Sequence, residues 1–449
     1  MAVRSGTIAF LFPAFPNLHQ TFVLWEVLAL RQRGIDIALY SIRRPLTATQ
    51  QPEGAALQAE VTYLPATLSG AVLAANAALL ARHPARYLGA ILGLVRDWWA
   101  ERHAGAEWKR EQVSADAPDR ERTRGEALRG WFNRSPVMFL LKSLWLVPRA
   151  AWLARDLAAR GIERLHAHWA SYSTSVALVA HWLTGVRFSF TAHAYDIYLV
   201  PRLLGVKVRE SEFAVTCAHV NAAFLNGIAG VAPGARVVVN HHGVSLARFA
   251  PPPPHAPREL ACIVTCGRLE PYKGHHVLLR AGAGLGRPVR VVLIGEGPQR
   301  QRLEQLAASL GIAAHTEFTG PLPQARLAEI YGEADLFVLA SVVLERSGKR
   351  DVIPNVLAEA MAMELPVVAT AISGVAELVT DGESGRLVPS NDVETLARVL
   401  AELLDDPAQR RRLAVNGRAV VQRMFDRDVN IEALASLFRD GRAAARGAP

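Results

Sequence analysis

Asp351 and Glu359 flank seven residues that include Pro354. Proline suits the first turn of a helix, where its missing N–H is not needed. Asn355 to Met363 then runs through good helix formers, so a helix is expected to start near Pro354. That spacing sets Asp351 on the loop before the helix and Glu359 inside it. The unpaired backbone N–H groups of such a terminus make a seat for phosphate. A carboxylate on each side of the seat can accept hydrogen bonds from sugar or ribose hydroxyls. Asp351, Ile353, Pro354, Asn355 and Glu359 therefore form a candidate nucleotide-sugar site. For an isolated pair of acids, a surface helix with ordinary charges would be the plainer reading.

A second set of residues sits earlier in the same half. Gly267-Arg268-Leu269-Glu270-Pro271-Tyr272-Lys273-Gly274 follows a strand-like run ending at Cys266. Two cations on such a loop, Arg268 and Lys273, can clamp a diphosphate and stabilise its charge as it leaves. Gly295-Glu296-Gly297-Pro298 likewise follows a strand and opens a helix. It lacks the third glycine of a dinucleotide fingerprint, so a nicotinamide oxidoreductase rests on Gly295 and Gly297 and little else. His193 stands just past a strand in the first half. With fourteen histidines in the chain, most must be structural. His166 and His168 alternate along a strand, and packing is expected for at least one. His241 and His242 lie close to the joint between the halves.

Elements able to position these residues are legible. The run Pro251 to Pro254, followed by Pro257, is an extended linker. Apolar runs alternate with helical patterns on both sides of it, which indicates α/β units with parallel sheets. Strands are expected at Thr7 to Phe12, Ile35 to Ser41 and Arg187 to Thr191. Further strands are expected at Cys262 to Cys266, Val289 to Ile294, His315 to Phe318, Leu336 to Leu339 and Pro366 to Ala369. Helices are expected at Thr21 to Arg33, Pro298 to Leu310 and Gln324 to Glu333. A polar, exposed stretch is expected from Ala104 to Gly125, and a frayed end from Gly441. Two halves of this kind bind ligands beyond the carboxyl ends of their strands, here in a cleft between them.

Bulk properties narrow the class. The chain has 449 residues, half of them hydrophobic and a fifth charged, which suits a soluble protein of two or three domains. The net charge of +9 favours anionic partners, including a membrane surface or pyrophosphate-linked lipid. No zinc-finger spacing, RNA-binding signature or basic heptad helix is present, so nucleic acid is not expected. Cys217, Cys262 and Cys266 are too few for a disulfide framework and point to a reducing compartment. No cluster has convincing metal spacing. No signal peptide is evident. Leu68 to Leu80 is too short to span a bilayer, and Met138 to Trp152 is interrupted by Lys142, Pro148 and Arg149. The segment Trp131 to Arg155 reads either as a peripheral membrane contact or as an amphipathic helix packed on its domain.

Taken in order, these motifs resemble the retaining glycosyltransferases of family 4, whose fold is GT-B, two Rossmann-like α/β domains with a cleft between them. The Asp351 to Glu359 stretch resembles that family's Glu…Glu signature. The family has Glu at the position of Asp351 and Gly at that of Glu364. The loops bearing Gly267, Arg268, Lys273, Gly295, Glu296 and Gly297 add to the likeness, as do Ser373 to Val379 and Asp381 to Val388. It covers Leu260 to about Asp406. The first half resembles transferases of bacterial exopolysaccharide and colanic-acid-type assembly. The carrying residues are Phe12 to Pro16, Gln20 to Phe22, His166 to Trp169, Thr191 to Asp196 and His242 to Val244.

The resemblance implies an acceptor-side domain over 1–249, the linker at 250–258, a donor-binding domain over 259–426, and a tail over 427–449 that crosses back to the first half. It implies sugar transfer with retention from a UDP- or GDP-sugar to a lipid-linked glycan. His193 would lie near the reacting sugar, Asp351 would hold that sugar, and Glu359 would bind the ribose. Arg268 and Lys273 would take the diphosphate, with no cofactor and no metal. A cytoplasmic protein, peripheral at the inner face of the membrane, follows. The competing reading is a non-catalytic GT-B partner that binds sugar or carrier in an assembly complex.

Overall fold

The first strand, Ile8–Ala14 (β1), is apolar at nearly every position, the pattern of a strand covered on both faces. In the computed structural model, which describes residues 6–16, 21–45, 52–101, 135–199, 201–253, 259–344 and 348–440, it lies inside a seven-stranded parallel sheet. Its companions are Ile37–Arg43 (β2), Thr62–Tyr63 (β3), Arg164–His168 (β4), Arg187–Ala192 (β5), Ala214–Thr216 (β6) and Val237–Val239 (β7). The order is β3-β2-β1-β4-β5-β6-β7. A second parallel sheet contains Cys262–Cys266 (β8), Arg290–Ile294 (β9), Thr316–Gly320 (β10), Leu336–Leu339 (β11), Val367–Thr370 (β12) and Arg386–Val388 (β13). Its order is β10-β9-β8-β11-β12-β13.

Both orders reverse beside their first strand, between β1 and β4 and between β8 and β11. Such a reversal opens a crevice beyond the strand carboxyl ends, because the connecting helices depart to opposite faces. The expected strands are all present, with ends shifted by a residue or two. The helices run Thr21–Gln32, Arg300–Ser309 and Gln324–Gly332 where they were expected. The polar stretch from Ala104 to Gly125 and the tail from Gly441 lie outside the described residues.

The described residues form two units. One comprises the elements up to Asn240 together with the chain from Ile431, and the other spans His241–Asn430. The sequence puts the joint at 250–258, whereas the change of unit falls at Asn240 and His241. Pro252 packs against Gly332 of the second unit, so the described part of the proline run belongs to that unit. In the helix Arg427–Asp440, Ile431, Leu434, Ala435 and Phe438 recur on one face and are buried in the first unit's core with Ile8, Phe10, Phe213 and Val215.

The helix Pro136–Ala159 is long and apolar enough to cross a membrane by length and composition. In the fold it is instead a covering helix. Phe139, Val147, Ala150, Leu153, Ala154 and Leu157 are buried on one side. Arg149 donates to the carbonyls of Ile42 and Leu64. Pro148 does not break the helix, and its carbonyl accepts from Asn76 Nδ2 at 2.9 Å.

Phe438 touches the rings of Phe10, His166 and Phe213 at centroid distances of 5.3, 4.9 and 5.9 Å. Phe438→Ala is expected to destabilise the first unit by about 3–5 kcal/mol, the usual loss for emptying an aromatic site. Urea unfolding should show the first unit's transition moved to lower denaturant, with the second unit's unchanged. An unmoved first transition would contradict this placement of the terminal helix.

Candidate functional site

The second unit brings most of the singled-out residues to the carboxyl ends of β8, β9 and β11. The loop after β8 is tied to the loop after β9 by backbone bonds, Gly267 N to Ile294 O at 2.9 Å and Leu269 N to Glu296 O at 3.0 Å. A Cβ on Gly295 would stand 2.0 Å from the Gly267 carbonyl oxygen, and one on Gly297 2.6 Å from that of Leu269. Gly295 also has a φ of 135°, which side chains rarely adopt. The fold itself gives a reason for these glycines, since the two loops must touch each other.

The cations do not stand side by side as an open clamp. Lys273 Nζ donates to Asp351 Oδ1 at 2.8 Å, and Asp351 Oδ2 accepts from Ser341 Oγ at 2.6 Å. Both charged side chains are close to buried. Ser341 lies just beyond β11, so this trio sits at the reversal of strand order. Arg268 Nε pairs with Glu270 at 2.9 Å, and Lys349 pairs with the other Glu270 oxygen. Burial raises the Glu270 carboxyl, but Lys349 and Arg268 bring it below its ordinary value. Glu296 points along the surface, where it accepts from Gly297 N at 3.1 Å and pairs with Arg300 at 2.9 Å.

The helix that follows Asp351 runs Asn355–Ala362, with Pro354 at its N-cap and no side-chain cap. Ile353 and Pro354 are buried, and Asn355 is half-buried. Glu364 has a φ of 56°, the left-handed conformation that suits glycine after a helix. A residue with a Cβ costs roughly 1 kcal/mol there. The Glu364 carboxylate reaches Arg411 at 2.7 Å, on the protein surface.

Glu359 is the unusual member. It is buried, and its Oε2 has no hydrogen-bond partner among the described residues. Burial pushes its pKa up to about 7, against a weaker pull downward from Arg248. Burial, and then the nearby Glu359 charge, push the Cys266 thiol up to about 12. Glu359 thus stands beside the end of β8. A carboxylate there without a partner is unfavourable by itself and suits a ligand that brings hydroxyl donors.

His193 belongs to the first unit, immediately after β5. Its N–H donates to Asp196 Oδ1 at 3.0 Å, and its carbonyl accepts from Asn221 Nδ2 at 2.7 Å. The ring contacts Phe22 and Trp169, each at 5.2 Å between centroids. Asp196 also accepts from Ala170 N at 2.6 Å, and burial lifts its pKa to about 6. Asp196 and Asn221 fix this turn. The sequence reading gave neither that task, because they meet His193 only after the chain folds. His166 is structural, with its ring nitrogens at 2.9 and 3.0 Å from Ser189 Oγ and Thr191 Oγ1. His168 is on the same strand face and also fully buried.

A test of the Glu359 environment follows from linkage. Its folded pKa of about 7 lies above the ordinary 4.5. The stabilisation from its protonated form is therefore complete below pH 4.5 and is lost as pH rises through about 7. Glu359→Gln keeps the shape and removes the titration. The variant should match wild type at about pH 4 and exceed it by roughly 3 kcal/mol near pH 8, by urea unfolding of the second unit. A variant less stable than wild type near pH 8 would mean that the ionised carboxylate already has a partner.

A family profile, Glycosyl transferases group 1, matches residues 250–420. The chain is 35% identical over 211 residues to the colanic acid biosynthesis glycosyltransferase WcaL of Escherichia coli K12, covering 46% of this chain and 52% of that protein. It thus spans about half the length of that relative. It is 32% identical over 325 residues to the D-inositol 3-phosphate glycosyltransferase of Saccharomonospora viridis, covering 68% of this chain and 70% of that one. Anabaena HepE, solved in complex with UDP, shares the fold with a TM-score of 0.64 at 16% identity, covering 96% of this chain and 98% of its own. The two parallel-sheet domains and the extent of these matches show that the chain belongs to the group 1 glycosyltransferases and has the GT-B fold.

Proposed function

We propose that the protein is a retaining glycosyltransferase that moves a hexose from a UDP- or GDP-sugar to a lipid-linked glycan, such as an exopolysaccharide precursor. The observation that carries this reading is Glu359, a buried carboxylate with an oxygen that has no partner among the described residues, eight residues after Asp351 and near Cys266 at the end of β8. Ribose hydroxyls would supply the missing donors. The uncapped helix start at Pro354 and Asn355, with Lys273 and Arg268, would receive the diphosphate. These groups offset the diphosphate charge without a metal ion.

In the structure each cation is held by a carboxylate. A diphosphate would draw Lys273 and Arg268 toward itself and release Asp351 and Glu270. Asp351 would then accept from hydroxyls of the transferred sugar, one methylene short of a glutamate. During transfer the bond from the anomeric carbon to the diphosphate oxygen breaks and a bond to the acceptor oxygen forms. The acceptor proton passes to the departing diphosphate. Attack on the face from which the diphosphate leaves preserves the anomeric configuration. The colanic acid biosynthesis named for one relative supports an exopolysaccharide role, and the UDP bound by HepE supports a nucleotide-sugar donor.

Incubation with UDP-, GDP- and ADP-sugars and membrane-lipid acceptors should give acceptor-dependent nucleotide release with one donor. Lys273→Ala and Glu359→Ala are each expected to lower kcat/KM by a factor on the order of a hundred or more, as the loss of a charge-stabilising contact does. Tight binding of a nucleotide sugar with no transfer to any acceptor would instead favour a non-catalytic sugar-binding partner. Variants that turn over like wild type would remove these residues from the site.

A further inference from the structure

Twelve large apolar side chains are exposed among the described residues, and ten of them fall between Leu68 and Trp145. Single exposed leucines are ordinary, but these are aligned. On the helix Pro84–Ala100, Leu88, Leu92, Val95 and Trp99 recur at i, i+4, i+7 and i+11, which draws one line along the helix. Leu92 and Trp99 are 67% and 60% exposed, while Ala90, Gly93, Leu94 and Asp97 are buried on the other side. On the helix Pro136–Ala159, Val137, Leu141 and Trp145 recur at i, i+4 and i+8, all more than half exposed. The two helices pack together, with Trp98 Nε1 donating to the Pro136 carbonyl at 2.8 Å. The helix Gly70–Arg82 completes the layer through Asn76, which bonds the Pro148 carbonyl and the Tyr87 hydroxyl.

The charges of this layer are mostly positive. The three helices carry Arg82, Arg86, Arg96, Lys142, Arg149 and Arg155 against two acids, Asp97 and Asp156. Both acids are spoken for. Asp97 is buried and bonded to Arg96, and Asp156 accepts from Tyr40 and pairs with Arg160. Apolar lines with tryptophans, flanked by cations whose anionic counterparts are turned inward, match the boundary between lipid headgroups and acyl chains.

We propose that the exposed stripes of Pro84–Ala100 and Pro136–Ala159 form the surface by which the first unit lies on an anionic lipid bilayer. Leu88, Leu92, Trp99 and Trp145 enter the acyl boundary, and Arg86, Arg96 and Lys142 meet lipid phosphates. Pro136–Ala159 lies along the bilayer rather than through it, because its other face is filled by the unit's own core. The surface uses none of the donor-loop residues and does not depend on the nature of the acceptor.

Flotation of the full chain with vesicles tests this. Wild type should float with phosphatidylglycerol-containing vesicles, and less with phosphatidylcholine alone or at high salt. The double variant Leu92→Glu/Trp99→Glu should bind at least about tenfold more weakly. Arg96→Glu/Lys142→Glu should lose about tenfold on the anionic vesicles and little on neutral ones. Both should keep wild-type UDP-sugar affinity, which separates a failure here from a failure of the donor assignment. Wild type that does not float, or variants that float like wild type, would overturn the proposal. So would a wild-type dimer split by Leu92→Glu/Trp99→Glu without lipid binding, since a second copy would then cover the stripe.

Discussion

Removing the Glu359 carboxylate from water without giving one of its oxygens a partner among the described residues is the constraint on which the second unit turns. An apolar residue at this position would spare the second unit that desolvation. Several neighbouring features serve to keep the group where it is. Pro354 starts the helix, Glu364 takes the left-handed turn that ends it, and β8 and β11 stand where the strand order reverses.

The same logic runs through the charged loops. Lys273 with Asp351, and Arg268 and Lys349 with Glu270, form a set of ion pairs whose cations suit a diphosphate. Asp351 holds Lys273 in place, since an unpaired charge at such low exposure would be costly, whereas Arg268 is half-exposed. In the first unit the buried Asp196 does comparable work for the turn that carries His193, by accepting two backbone N–H groups.

Much of this could be read from the chain. The strands β8 and β11 have their expected limits because short apolar runs bounded by polar residues and turns leave little freedom. The helix after Pro354 and the position of Glu359 within it follow from proline chemistry and helix propensity. Other parts could not be read. Strands β6 and β7 are three residues each, too short for any period to show. The bond from Ser341 to Asp351, and those from Asp196 and Asn221 to His193, join residues that only the fold brings together. The terminal helix does carry a legible stripe in Ile431, Leu434, Ala435 and Phe438, yet its partners among Phe10 and Phe213 are hundreds of residues away. The reason for Gly295 and Gly297 needed three dimensions too, because their crowding comes from a different loop.

Proton release on binding of UDP-glucose tests the central role of Glu359 most directly. The pyrophosphate of this ligand does not titrate near neutral pH, so a proton leaving on binding must come from the protein. Calorimetry near pH 6.5 in buffers of different ionisation enthalpy would count it. Ribose hydroxyls donating to the carboxylate should lower its pKa from about 7 and expel a fraction of a proton, with affinity rising as pH increases. Glu359→Gln should abolish both effects. Binding of equal strength in wild type and variant, with no difference in proton release, would mean that Glu359 does not face the nucleotide.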